Sequence, residues 1–243
     1  MAVYLWENVH LVPGMTSEYM RAYEERWLRL SDKYDRDFLR VSGFFMPNVL
    51  NATNPTVNIL WTVDSWESWG NAGSRGTPEE HLEKTHDFYM PALSWRTGWT
   101  DKMIESLSFS PVPPSRPDSV RPGTTVILHR FAVEPKSCAT FIEAFREDLM
   151  PAGPSVGLNL ELFARATGHP TEYFAFWTIE RADYASFRTA RDPDLPHSLL
   201  PSFERTWSTL VDVEEHELTP AWFSPIGGTQ TNPRALSEGE FAI

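Results

Sequence analysis

The sequence predicts an α+β protein in which one unit, ordered β-α-β-β-α-β, occurs twice along 243 residues. Three observations lead there: residues recur at a nearly constant offset, strand-like and helix-like patterns follow in the same order on both sides of the chain, and a proline-rich stretch separates the two sides. Trp61-Thr62 recurs as Trp177-Thr178 at an offset of 116, and Tyr19, Tyr23 and Trp27 recur as Phe141, Phe145 and Leu149 at 122, as does Pro13 as Pro135. Gly43 with Ala52-Thr53 matches Gly157 with Ala166-Thr167, and Phe109-Ser110-Pro111 matches Phe223-Ser224-Pro225, both at 114.

The elements follow in order. YLWENVHL and TVILHRFAV are rich in β-branched and aromatic residues and stop before Pro13 and Pro135, as a first strand does. Apolar residues at 19, 23, 27 and 30, and at 141, 145 and 149, then draw the stripe of a helix. VSGFFMPNVL and GLNLELFARA read as strands that turn through NATNP and TGHP into VNILWTV and YFAFWTI, a hairpin in each half. Thr77-Pro78-Glu79-Glu80 forms a capping box with proline at the first helical position, so a helix starts there and runs toward Trp95, with Pro91 kinking or dividing it. Last strands near KMIESLSF and VDVEEHEL complete two ferredoxin-like units. The expected division is 1–111 and 124–225 for the units, 112–123 for a stiff proline-rich linker, and 226–243 for a C-terminal extension that reads as mobile or draping.

Composition narrows the partners. There are 33 acidic and 21 basic residues, a net charge of −12 spread over both halves, which repels phosphate backbones and anionic lipid surfaces, so neither nucleic acid nor membrane is an expected partner. No run approaches the roughly 20 apolar residues of a membrane span. The N-terminus carries no basic stretch ahead of an apolar one, and the single Cys138 allows no internal disulfide, so a reducing, cytoplasmic setting is expected. A glycine-rich phosphate loop and a Gly-x-Ser-x-Gly elbow are both missing, and His81 and His86 are five apart, off the spacing that puts two metal ligands on one helix face.

Two constellations could carry acid-base chemistry. His86 falls with Leu82, Tyr89 and Leu93 on one apolar helix stripe, where His86 and Tyr89 form either a base-acid pair or a satisfied piece of core. His129 shares a strand face with Ile127, Phe131 and Val133, and Glu161 and Arg165 alternate away from the leucines of their strand. These three either meet inside a barrel as a general base and its orienting cation or form a structural ion pair. Asn8, Asn48 and Asn58 are amides able to hold a carbonyl, with Asn48 and Asn58 expected as neighbours across the hairpin. Trp6, Trp95 and Trp99 are candidate walls for a flat ligand, whereas Trp61 and Trp177 repeat and read as core.

The tandem units, with paired Trp-Thr strands and recurring Phe-Ser-Pro ends over residues 3 to 225, resemble the dimeric α+β barrel superfamily, and within it NIPSNAP-type proteins that carry two such units on one chain. The resemblance implies two sheets packed into a barrel, with small apolar ligands held within it or between a sheet and its helices. Relatives include cofactor-free polyketide cyclases, quinone-forming monooxygenases, muconolactone isomerases and haem enzymes. The expected function is a cofactor-independent enzyme using general acid-base chemistry (cyclisation, elimination or isomerisation) on an apolar, aromatic or polyketide-like molecule. The alternatives are a non-catalytic binding or interaction protein of NIPSNAP type and an oxidoreductase, cofactor-free or with haem held by His169, His197 or His216. A homodimer through exposed edge strands is a further expectation.

Overall fold

The computed structural model describes residues 1–28, 39–47, 55–63, 65–72, 86, 90–113, 124–190, 192 and 200–228. The first half contributes β1 (Val3–Leu11), β2 (Leu39–Pro47), β3 (Thr56–Val63) and β4 (Arg96–Ser106). From the second half come β5 (Thr124–Val133), β6 (Leu158–Ala166), β7 (Glu172–Glu180) and β8 (Leu210–Pro220). Helices α1 (Thr16–Ala22) and α2 (Trp66–Ala72) belong to the first half, and α3 (Cys138–Ala144), α4 (Tyr184–Thr189) and α5 (Leu200–Trp207) to the second. All strand pairs are antiparallel, and their order β1-β3-β2-β8-β5-β7-β6-β4 closes on itself as a barrel. Two seams join the halves: β4 meets β6 with Ile104 opposite Ala166, and β2 meets β8 with Pro47 opposite Leu218. Ile104 and Leu218 are 114 apart, so the seams are related by the same duplication that the sequence displays. Closure leaves each sheet no open flank there, which removes the hazard of unpaired strand edges.

Alternation along the strands sorts side chains into an interior and two outer layers. Inside, Tyr4, Phe45, Leu60 and Ile104 from the first half meet Val126, Leu162, Phe176 and Leu218 from the second. Outside, Tyr19, Tyr23 and Trp27 pack on Trp61 in one helix layer, and Phe141, Phe145 and Phe163 pack beside Trp177 in the other. Full burial of such aromatics is worth about 1.5–3 kcal/mol each. The segments after β4 and β8 cross reciprocally. The Phe163 N–H donates to Ser110 Oγ at 2.8 Å, and the Phe44 N–H donates to Ser224 Oγ at 3.0 Å. The two Phe-Ser-Pro repeats are therefore a pair of clasps, each fastening one half onto the other.

Several expectations change. Both β2 and β6 carry a bulge, after Val41 and after Leu160, and the register sets Gly43 opposite Leu60 and Leu162 opposite Phe176. Gly43 thus corresponds to Leu162 at an offset of 119, not to Gly157, which ends a 3₁₀ turn at φ 81°. The last strands begin at Arg96 and Leu210, earlier than expected. Ile226 is no draping tail: it is 1% exposed in the barrel interior, its N–H donates to Ser42 O at 3.0 Å, and Thr124 Oγ1 donates to Gly227 O beside it. The capping box at 77–80, residues 114–123 of the linker and the tail from 229 lie outside the described residues. Among the described residues, no helix is long and apolar enough to cross a membrane.

Candidate functional site

The barrel is filled at the end where Ile226 lies and open at the other, where a cavity of about 760 Å³ enters between the two sheets. Inward-facing positions of β1, β3 and β4 supply Trp6, Asn8, Asn58, Thr100 and Lys102. From β5, β7 and β8 come Leu128, Arg130, Phe174, Glu214, His216 and Leu218. Trp6 stands edge-on to Phe176, centroids 5.1 Å apart, so the floor is aromatic. One wall is an amide pair: Asn8 and Asn58 are register partners, and Asn8 Nδ2 donates to Asn58 Oδ1 at 2.8 Å. That leaves the Asn58 amide N–H groups for a ligand, while Asn8 Oδ1 is buried without a partner.

The facing wall is charged. Glu172, 8% exposed, accepts from Lys102 Nζ and from Arg130 Nε, each at 2.5 Å, and Arg130 Nη1 reaches Glu214 at 3.0 Å. Burial raises the pKa of Glu172, but the hydrogen bonds and charges of Lys102 and Arg130 outweigh it and hold the carboxyl below its ordinary value. Glu214 is likewise lowered, as the Arg130 charge and the His216 hydrogen bond overcome its burial. His216 Nε2 lies 3.4 Å from Glu214 Oε2, so a cavity-lining imidazole has a carboxylate to orient it.

A second ionisable cluster lies outside the barrel wall, under the first helix layer. There Glu7 accepts from Trp61 Nε1 at 3.1 Å and faces Arg96 at 3.5 Å, and Arg96 Nη2 donates to Tyr19 Oη at 2.5 Å. Burial pushes the Glu7 carboxyl up, with Arg96 and Trp61 opposing and Asp101 adding to the rise.

The structure brings together Trp6, Asn8 and Asn58 and separates the other expected residues. His129 is buried with Ile127, Phe131 and Val133 as read, but that face looks toward the helices, where its Nε2 meets Glu215 at 2.7 Å. Glu161 is the bulge residue of β6 and accepts from Thr178 Oγ1 at 2.6 Å, at the filled end of the barrel. Its counterpart is Ser42, bonded to Thr62, so the pair is a strut repeated in both halves. Arg165 sits on the outward face of β6, in register with Tyr173. The triad of His129, Glu161 and Arg165 therefore does not form, because the bulge shifts the alternation on which it rests. His86 is exposed rather than sheet-facing, and Leu93 on the same stripe is 45% exposed while Ala92 is buried. Trp99, 57% exposed, is on the outward phase of β4, and Trp95 packs against the first helix layer, so neither lines the cavity. Tyr89 and Asn48 lie outside the described residues.

Lys102, Arg130, Glu172 and Glu214 escaped the sequence reading, which named His216 only as a haem ligand. The duplication offsets were the available signal, since Asn8 maps to Arg130 at 122, Thr56 to Glu172 at 116 and Lys102 to His216 at 114. Among the described residues no group of three or more His, Cys, Asp or Glu side chains could hold a metal ion. For haem, His216 is the one named histidine on the cavity among the described residues, but its Nε2 faces Glu214 at 3.4 Å and is not left for an iron, and the fit is poor. His169 is exposed in a turn, and His197 lies outside the described residues.

No protein-family model matches the chain, and no curated protein matches it. Solved structures do. A proposed monooxygenase from Fusobacterium nucleatum is 13% identical, covering 90% of this chain and 92% of its own, with a TM-score of 0.62. An anthrone oxidase-like protein is 10% identical over 90% of this chain and 91% of its own, with a TM-score of 0.50. A NIPSNAP family protein from Agrobacterium tumefaciens, 13% identical, covers 46% of this chain and 97% of its own, with a TM-score of 0.39. The chain thus has the fold of tandem ferredoxin-like units closed as an α+β barrel, similar to the folds of the Fusobacterium and anthrone oxidase-like proteins.

Proposed function

We propose that the chain is a cofactor-independent enzyme that enolises an aromatic carbonyl compound in the open end of the barrel, as the first step of an isomerisation, cyclisation or elimination. The observation that carries this reading is the His216–Glu214 pair on the wall of an aromatic-floored cavity, on the side opposite free amide donors. With its Nε2–H given to Glu214, the imidazole has its basic lone pair on Nδ1, which takes the proton from carbon next to the substrate carbonyl. The electron pair moves onto the carbonyl oxygen, where Asn58 N–H and the unused donors of Lys102 stabilise the enolate. The Trp6 and Phe174 rings suit a flat substrate and exclude water from it.

The test is exchange of the α-protons of 2-tetralone in D2O, followed by NMR. The wild-type protein is expected to accelerate exchange, and His216→Gln to lose that acceleration by about a hundredfold or more, the usual scale of a general base. Equal exchange by His216→Gln and wild type would remove the base from this reading. Oxygen uptake in the same assay separates oxygenation of the enolate from isomerisation; the Fusobacterium protein is named as a proposed monooxygenase. A non-catalytic binding role is favoured by one observation: each cation on the charged wall already has a carboxylate partner. Under that role neither protein accelerates exchange.

A further inference from the structure

We propose that Glu172 determines the charge specificity of the cavity: its carboxylate occupies the place between Lys102 and Arg130 where a ligand carboxylate would bind, so the site takes uncharged aromatic carbonyl compounds and phenols and refuses aromatic acids. The inference rests on the cavity being the ligand site. Lys102 comes from the first half and Arg130 from the second, and Phe174 lies under them, with Lys102 Nζ 5.7 Å from the ring centroid. A lysine and an arginine converging at the edge of an aromatic floor make a strong site for an aromatic carboxylate. Here that site is filled from within the chain. Glu172 is nine-tenths buried, takes both cations at 2.5 Å, and lines a second space of about 280 Å³ that shares Lys102, Arg130 and Glu214 with the main cavity.

An incoming acid must displace Glu172 and leave a buried carboxylate without partners, a costly exchange with no net gain in ion pairs. Glu214, inward on the same wall and bonded to Arg130, adds a second carboxylate that opposes an incoming anion. The first half holds Thr56 at the equivalent place, 116 residues earlier, so the block belongs to one side only. A phenol or ketone has no charge to oppose and uses the Asn58 amide instead.

Calorimetric titration with 2-naphthol and 2-naphthoate, which differ chiefly in charge, tests this. Wild type is expected to bind naphthol at least about tenfold more tightly than naphthoate. Glu172→Gln should tighten naphthoate by about tenfold and leave naphthol within about twofold. Adding Lys102→Met to Glu172→Gln should erase the naphthoate gain, which a general loosening of the fold would not do. Equal affinity of the two probes for wild type, with no gain for naphthoate in Glu172→Gln, would overturn the inference and leave the cavity as the ligand site. Binding of neither probe to any of the three proteins would overturn both.

Discussion

Glu7 and Glu172 are buried carboxylates with opposite effects on stability, and the difference comes from their partners. Glu172 has two hydrogen-bonded cations, and its folded pKa is depressed. Its stabilisation is complete above the ordinary carboxyl value of 4.5 and is lost as pH falls through the lowered folded value. Glu7 has one guanidinium at 3.5 Å and a like charge at Asp101, so burial wins and its folded pKa is raised. Its contribution is most favourable below 4.5 and is lost as pH rises through the raised value. Thermal midpoints of wild type, Glu172→Gln and Glu7→Gln between about pH 3 and pH 7 should therefore diverge in opposite senses. The deficit of Glu172→Gln shrinks on acidification, and the standing of Glu7→Gln against wild type improves as pH rises. Parallel curves would contradict both assignments.

The repeated elements are held by devices that the sequence displays unevenly. Tyr19, Tyr23 and Trp27, and Phe141, Phe145 and Leu149, are spaced by four, a stripe that drifts about 40° at each step on a regular α-helix. Both stripes are buried because each helix widens into a π turn, Tyr23–Trp27 and Phe145–Leu149, whose extra residue counters the drift. That spacing was readable. The bulges were not, since nothing in LNLELFARA marks Glu161 as the residue left out of the ladder, and strict alternation from that point assigns Leu162 and Phe163 to the wrong faces. The clasps were visible as Phe-Ser-Pro repeats but not as crossings. They make a sharp prediction: Ser224→Ala strips the buried Phe44 N–H of its acceptor and should cost about 1–3 kcal/mol in urea unfolding. Ser110→Ala should act in the same direction but less, because Ser110 is only partly buried. Unchanged midpoints would mean the clasps contribute nothing to closure.

For the whole molecule, the duplication offset falls steadily along the chain, from 122 in the first helix through 119 in the bulged strand and 116 in the Trp-Thr strand to 114 at the seam. That regularity made the two units and their order readable. The site was readable only in part. Trp6, Asn8 and Asn58 belong to one unit, so a hairpin and a neighbouring strand are enough to bring them together. Arg130, Glu172, Glu214 and His216 belong to the other and meet the first group only because the barrel closes, a long-range event that no local pattern encodes. A cavity built by both halves explains why the repeats differ in polar content: amides on one wall and charges on the other complement each other within it. The alternative place for a ligand is beneath the first helix layer, at Glu7, Arg96 and Tyr19. A crystal structure of the protein with 2-naphthol bound would decide between them. The ring is expected between Trp6 and Phe174 with its hydroxyl on the Asn58 amide, and density instead beside Arg96 and Tyr19, with the barrel mouth empty, would contradict the site proposed for this protein.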